Sequence, residues 1–253
     1  MMSPLAGDQM PDGPLLGDFE ERFRAAAIEA ISGQHLAIDS AAVWRDLVEG
    51  RSRIAADFST PDWSVLVLER HRARPIRRLA PRTLEIFEQV LLGADPKVVS
   101  IERNLSASTV AGNLKHACEA LGLRCRPSRV PLLLVVLAHA ACGRGRLDTG
   151  HAAELEFCNV SYQALCMPAP DRLFARVLSP AEQSVVRMRV EGKSHAEIAA
   201  ERRTSLRTVA NQVAKAFHRL GVSCRSDLME LLIAPSCSAT SHMVGATGPT
   251  VGS

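Results

Sequence analysis

Residues 105–126, LSASTVAGNLKHACEALGLRCR, and residues 204–225, TSLRTVANQVAKAFHRLGVSCR, align without a gap at an offset of 99. From Leu79 to Arg126 the identity is 14 of 48 positions, against about three from ordinary residue frequencies, so chance is a poor explanation. No other feature constrains the fold as much. Whatever unit the first stretch builds, the second builds again, and 253 residues leave room for two small cores. Carried backwards, the offset sets Phe58 on Phe157, Trp63 on Tyr162, Leu66 on Leu165 and Arg77 on Arg176. The repeat unit therefore spans roughly 56–129 and 155–228.

Each copy has the same helical grammar, satisfied by different residues. In the second, Ser179, Pro180 and Glu182 are an N-cap, a first-turn proline and a capping-box partner, and Gly192 stops the helix. Ser194 with Glu197 starts a second short helix. Ser205 caps a third over 206–219, halted by Gly221, and RSDLMELLIAP gives a fourth that ends against Pro235. The first copy uses Pro81, Gly93, Asp95 with Pro96, Ser106 and Gly122 at the matching points. Before each set, short β-favouring runs predict a hairpin, around Phe58–Glu69 in the first copy and in EFCNVSYQALCM in the second. Upstream, apolar spacing predicts a helix over Leu15–Ile31 and another from Asp39 or Ser40 to Gly50, read as a packing or dimerisation lid.

A short helix, a tight turn and a second helix with one polar face is the helix-turn-helix arrangement, whose second helix enters the DNA major groove. In the second copy Val209, Val213, Ala216 and Leu220 form the inward stripe, and Arg207, Asn211, Ala214 or Lys215, and His218 face outward. Arginine reads guanine, Asn or Gln reads adenine, and lysine neutralises phosphate. Residues 205–219 carry a charge of +3 from Arg207, Lys215 and Arg219. Residues 106–120 carry none, since Glu119 offsets Lys115, and Gly112 stands mid-helix. The first copy thus reads as the weaker reader, contacting backbone through Thr109, Asn113 and Lys115 with help from the basic run RHRARPIRR, which is equally well a solvated linker.

Leu178–Arg225 carries the Leu-x-Pro opening, the Gly192, Ser194, Ile198, Ala199 core, Thr-Val and Leu-Gly-Val before Arg, and so resembles the LuxR/GerE-type helix-turn-helix domain. Leu79–Arg126 resembles it more distantly, with Val98 and Val99 near the Ile position. The resemblance implies a mainly α fold: tandem LuxR-like helical units, each preceded by a short β-hairpin, plus an N-terminal helical segment. Taken with composition, helical spacing and the repeat, it divides the chain into a disordered stretch over 1–13, a helical segment over 14–55, a hairpin and first unit over 56–142, a linker over 143–154, a hairpin and second unit over 155–235, and a disordered tail over 236–253. It also implies a DNA-binding transcription regulator with Arg203, Arg207, Thr208, Asn211, Gln212, Lys215 and Arg219 at the DNA. The first unit is then divergent and mainly structural or dimerising. The partners implied are double-stranded DNA, RNA polymerase as a further one, and a homodimer or intramolecular pseudo-dimer through the fourth helices. The family usually has Lys after Thr-Val and His two residues on; Ala210 with Gln212 and Ala111 with Asn113 stand there instead. That departure keeps open a protein-interaction module derived from the helix-turn-helix; a sigma-like factor shares the same helical grammar, but Leu-Gly-Val-x-Cys-Arg after the third helix and the lack of a region-2-like segment disfavour it.

Composition excludes more than it selects. A net charge of +3 permits a polyanion without demanding one. Seven cysteines without Cys-x-x-Cys and eight histidines without metal spacing predict reduced thiols, with no metal or cofactor. Cys125 and Cys224 read as small buried residues, and Trp44 and Trp63 as core anchors. No nucleophile and base, carboxylate pair or phosphate loop argues for an enzyme. The start lacks a basic stretch followed by an apolar one, and the longest apolar run, 130–142, falls short of the roughly 20 residues a bilayer span needs, which predicts a cytoplasmic protein. Seven consecutive apolar residues, Leu132–Ala138, leave that helix no polar face, so something must cover it.

Overall fold

The computed structural model describes residues 15–71, 78–123, 130–144, 147, 150–170, 174–175 and 177–233. The readings of residues 1–13, of the basic run at 72–77, of Cys125 and of the tail from Ser236 lie outside them. The chain is mostly helical around one antiparallel sheet.

Two hairpins supply that sheet. Strands β1 (Ser52–Ser59) and β2 (Trp63–Arg70) form the first, β3 (His151–Phe157) and β4 (Val160–Pro168) the second. They join in the order β1-β2-β4-β3. Expected as separate features of two units, the hairpins share their inner strands. Both outer strands also begin earlier than expected: β1 at Ser52, inside the stretch read as N-terminal helix, and β3 at His151, inside the stretch read as linker. In the β2–β4 pairing Leu66 lies opposite Leu165, Val65 opposite Cys166 and Val67 opposite Ala164. Since Leu66 and Leu165 are also 99 apart in sequence, each is the other's repeat equivalent, and a local twofold axis passes between them.

The inner strands are buried on both faces, which explains their unbroken apolar runs. Leu66, Leu68, Leu165 and Met167 face the main helical core; Val65, Val67, Ala164 and Cys166 face a smaller cluster on the other side. In β1 a bulge between Ile54 and Ala56 inserts one residue, so Ile54 faces the main core while Ala56 and Phe58 turn to the smaller one. That break in alternation hid the first half of β1 from the sequence.

Helix α1 (Leu15–Gly33) covers the smaller cluster with Phe23, Ala27 and Ile31. The Phe23 ring meets Tyr162 edge-on at 4.8 Å and Phe157 at 5.3 Å. The chain leaving α1 pins the free edge of β3: Leu36 and Ala152 exchange backbone hydrogen bonds, and the Gln34 amide bonds the Glu154 N–H and carbonyl. At the other edge Ile54 N–H donates to the Leu121 carbonyl at 2.8 Å.

Helices α3 (Pro81–Leu91), α4 (Pro96–Glu102) and α5 (Ala107–Ala120) recur at the same offset as α7 (Pro180–Val190), α8 (His195–Glu201) and α9 (Leu206–Leu220). Helices α6 (Leu132–Ala141) and α10 (Arg225–Ile233) do not share that offset, so the periodicity fails after the third helix of each set. Leu132–His139 of α6 are all buried, covered by α2 (Ser40–Val48), β2, α3 and α10. The apolar helix is thus the centre of the core. Trp44 of α2 lies stacked with Phe87, its indole N–H on the Glu88 carboxylate at 2.9 Å. Cys224 differs from expectation: it is exposed at the start of α10, its thiol 3.0 Å from Asp227, whose carboxylate also takes the Ser223 N–H.

Candidate nucleic-acid interface

Helix α9, expected from the sequence to carry the reading face, is held from beneath and from both ends. Ile198 and Ala199 of α8 and Val185 and Val186 of α7 join Val209, Val213, Ala216 and Phe217 in the main core. The N-terminus of α9 is capped by Ser205, whose oxygen accepts from Thr208 N–H at 3.0 Å, and the two hydroxyls lie 2.8 Å apart. Its C-terminus ends on Gly221 at φ +68°. The turn from α8 runs through Arg203 at φ +50°, and the matching turn from α4 runs through Asn104 at φ +50°. Asparagine takes this left-handed conformation more readily than arginine, so the second turn is the more strained.

Two further ties orient α9. The Glu182 carboxylate in the first turn of α7 accepts the Ser179 N–H at 2.9 Å and hydroxyl at 2.8 Å, and Arg219 of α9 bonds it at 2.6 Å. The Ser179 hydrogen bonds hold its carboxyl below the usual range, with Arg219 and Lys215 lowering it further. Arg202, just before the turn, donates to Gln212 Oε1 at 2.7 Å and to the Ala181 carbonyl at 3.4 Å. The sequence reading passed over Arg202, though Arg103 occupies its position in the other copy and bonds Glu85 at 2.6 Å. The dipeptide Glu-Arg, at 102–103 and again at 201–202, was the available signal.

Of the residues expected at DNA, Arg203, Arg207, Thr208, Asn211, Lys215 and Arg219 are exposed. All but Arg203 lie on α9, where Arg207, Asn211, Lys215 and His218 form one outward row. Gln212 is half-buried, its carbonyl taken by Arg202. In the first copy Asn113 is half-buried with both ends of its amide engaged, to Thr83 at 2.8 Å and to the Thr109 carbonyl at 2.8 Å. Thr109 is exposed but serves the Ser106 cap, and Lys115 is exposed 3.8 Å from Glu119. Residues 178–220 hold eight Lys and Arg against four Asp and Glu; residues 79–121 hold four against five. Equal scaffolds thus carry unequal potentials.

Residues 175–220 match sigma-70, region 4. The match falls on α7–α9 with their flanking turns. The chain therefore carries a helix-turn-helix DNA-binding domain there. No curated protein and no solved structure was found to match the chain. Among the described residues no helix is long and apolar enough to cross a membrane, and no group of three His, Cys, Asp or Glu is placed to hold a metal.

Proposed function

We propose that the chain is a DNA-binding transcription regulator of the LuxR/GerE type, working in the cytoplasm. In this reading α9 enters the major groove and α8 crosses the phosphate backbone. The observation that carries it is the exposed cationic row of Arg207 and Lys215, flanked by Arg203 and Arg219, on a helix whose inner side is fixed by α7 and α8. Arg207 and Asn211 have the donors for base edges, and Lys215 and Arg203 suit phosphate. The first unit, α3–α5, is divergent and mainly structural, and the two units form a pseudo-dimer within one chain, joined by the β2–β4 pairing and supported by the contact of α6 with α10.

The test is a duplex-DNA shift assay over a salt series. Arg207→Ala with Lys215→Ala abolishes the shift, whereas Lys215→Ala alone keeps a weaker one whose log-log salt slope is smaller by roughly 1. Lys115→Ala has the smaller effect. Equal losses from the two changes contradict the assigned asymmetry, and binding that ignores salt contradicts the reading itself. The region-4 match favours a second reading, a sigma-like factor that recognises promoter DNA only when joined to RNA polymerase. It predicts a shift that needs added polymerase.

A further inference from the structure

Arg202 and its repeat equivalent Arg103 are the C-cap residues of α8 and α4, yet their guanidinium groups go to different places. In the first unit Arg103 bonds the Glu85 carboxylate of α3 at 2.6 Å. In the second unit Ser184 stands where Glu85 does, so no carboxylate receives Arg202 there. Arg202 turns instead to the Gln212 side-chain oxygen at 2.7 Å and the Ala181 carbonyl at 3.4 Å. The consequence falls on the amide, which has one accepting end and one donating end. At Asn113, the equivalent of Gln212, the oxygen accepts from Thr83 and the NH2 is turned back onto the Thr109 carbonyl of its own helix. At Gln212 the oxygen is taken by Arg202 and, among the described residues, nothing accepts from the NH2. Reversing that amide would set its NH2 against a guanidinium, so its orientation is fixed, and an amide whose oxygen accepts from a cation donates more strongly at its nitrogen.

Position on α9 says what those donors meet. Gln212 follows Thr208 by one turn and precedes Arg219 by two, beside the outward row of Arg207, Asn211 and Lys215. The Arg202 bonds to Gln212 and Ala181 and the Arg219–Glu182 pair both tie this flank to the first turn of α7. With α9 in the major groove, the outward row faces base edges and the flanks of the helix face the sugar-phosphate walls. A phosphate offers acceptors only, and Gln212 is left with donors only.

We propose that Arg202 is a positioning residue for backbone recognition: by holding the Gln212 oxygen inward it presents the Gln212 NH2 to a phosphate oxygen, a contact its own guanidinium does not make. This role rests on α9 entering the major groove, as proposed above. The first unit lacks the arrangement whatever its charge, because Glu85 draws Arg103 away and Asn113 is closed on Thr83 and Thr109.

A double-mutant cycle on the full chain tests this, read by shift assays on random-sequence duplex, where backbone contacts carry the binding. Gln212→Ala and Arg202→Met are each expected to weaken binding roughly tenfold, the worth of one hydrogen bond to a charged group. The double variant is expected to bind no more weakly than either alone, because both changes remove the same contact. A neutral amide releases no counterion, so Gln212→Ala keeps the wild-type salt slope. Gln212→Glu keeps an oxygen for Arg202 and puts a second oxygen where the NH2 was; it is expected to melt no lower than the wild type and to bind at least as weakly as Gln212→Ala. Losses that multiply in the double variant overturn the proposal, since Arg202 then acts on its own, as a direct phosphate contact or as a structural pin. Wild-type affinity in Gln212→Ala or Gln212→Glu overturns it as well. A wild type that gives no salt-dependent shift, alone or with polymerase, is instead the failure of the DNA-binding reading, and it removes the role of Arg202 with it.

Discussion

Two glycines at repeat-equivalent positions have different jobs, and the same substitution separates them. Gly122 and Gly221 both follow a third helix, at φ +87° and +68°. An alanine in the left-handed region costs about 1–2 kcal/mol, of which roughly 0.4–1 kcal/mol returns through a less flexible unfolded chain. At Gly221 that is the whole account, because an added Cβ meets nothing within 4 Å. Gly221→Ala is expected to cost about 1 kcal/mol. At Gly122 the new carbon would stand 2.5 Å from the Ile54 carbonyl oxygen and 2.7 Å from Arg53 Cγ. The arginine can swing away, but the carbonyl belongs to β1. Relief means moving the end of α5 off the sheet and stretching the 2.8 Å bond from Ile54 N–H to Leu121, another ~1 kcal/mol. With the packing lost around Leu121 and Leu123, Gly122→Ala should cost about 3 kcal/mol, or roughly 6–12 °C in melting temperature for a chain of this size. Calorimetry of the two variants against wild type is the assay. Losses equal within about 0.5 kcal/mol would show that only the backbone conformation matters at both sites and that α5 is not seated on the sheet edge as described.

Two other groups report on the interior. His139 on α6 is buried with its ring nitrogen 3.2 Å from the Leu91 carbonyl, and burial is the main cause holding its pKa below the ordinary value, with Arg144 adding to it against the Leu91 bond and Glu230. The unfolded chain takes up the proton first, so stability is lost as pH falls from about 6.5 toward the folded value; melts from pH 7.5 to 5.5 should steepen for wild type and flatten for His139→Gln. Cys166, under α1, has its thiol pushed up to about 11 by burial. Iodoacetamide at pH 8 should label Cys158 and Cys224 in the native protein and reach Cys166 only after denaturation, as read by peptide mass spectrometry.

The helices on either side of each turn were legible because their ends are written in short-range chemistry. Ser179 with Glu182, Ser194 with Glu197 and the Asp95-Pro96 pair act within three or four residues, and the structure keeps each of them at a helix start. The sheet was not legible as one object. That β2 pairs with β4 depends on residues 99 apart, and the bulge after Ile54 erased the alternation that would have announced β1. On the outward face of α9, the spacing along the helix was enough to find the exposed row. It was not enough to find the inward turn of Asn113 and Gln212, because that depends on Thr83 and Arg202 of neighbouring elements. Cys224 was misread for a related reason: its surroundings are set by where α10 begins, and α10 keeps no step with α6.

A residue on a twofold axis touches its own equivalent, as Leu66 touches Leu165. Between two separate identical chains, every substitution would strike both sides of the axis at once, and a change tolerable on one side could be ruined by its twin. Here the two sides are written separately in one chain. Thr83 can bond Asn113 while Glu182 bonds Arg219, and Gly112 can lie bare while Asn211 faces outward, without either choice being imposed on the other half. Joining the halves through β2 and β4 fixes their stoichiometry and geometry, and leaves the surface of each free to specialise.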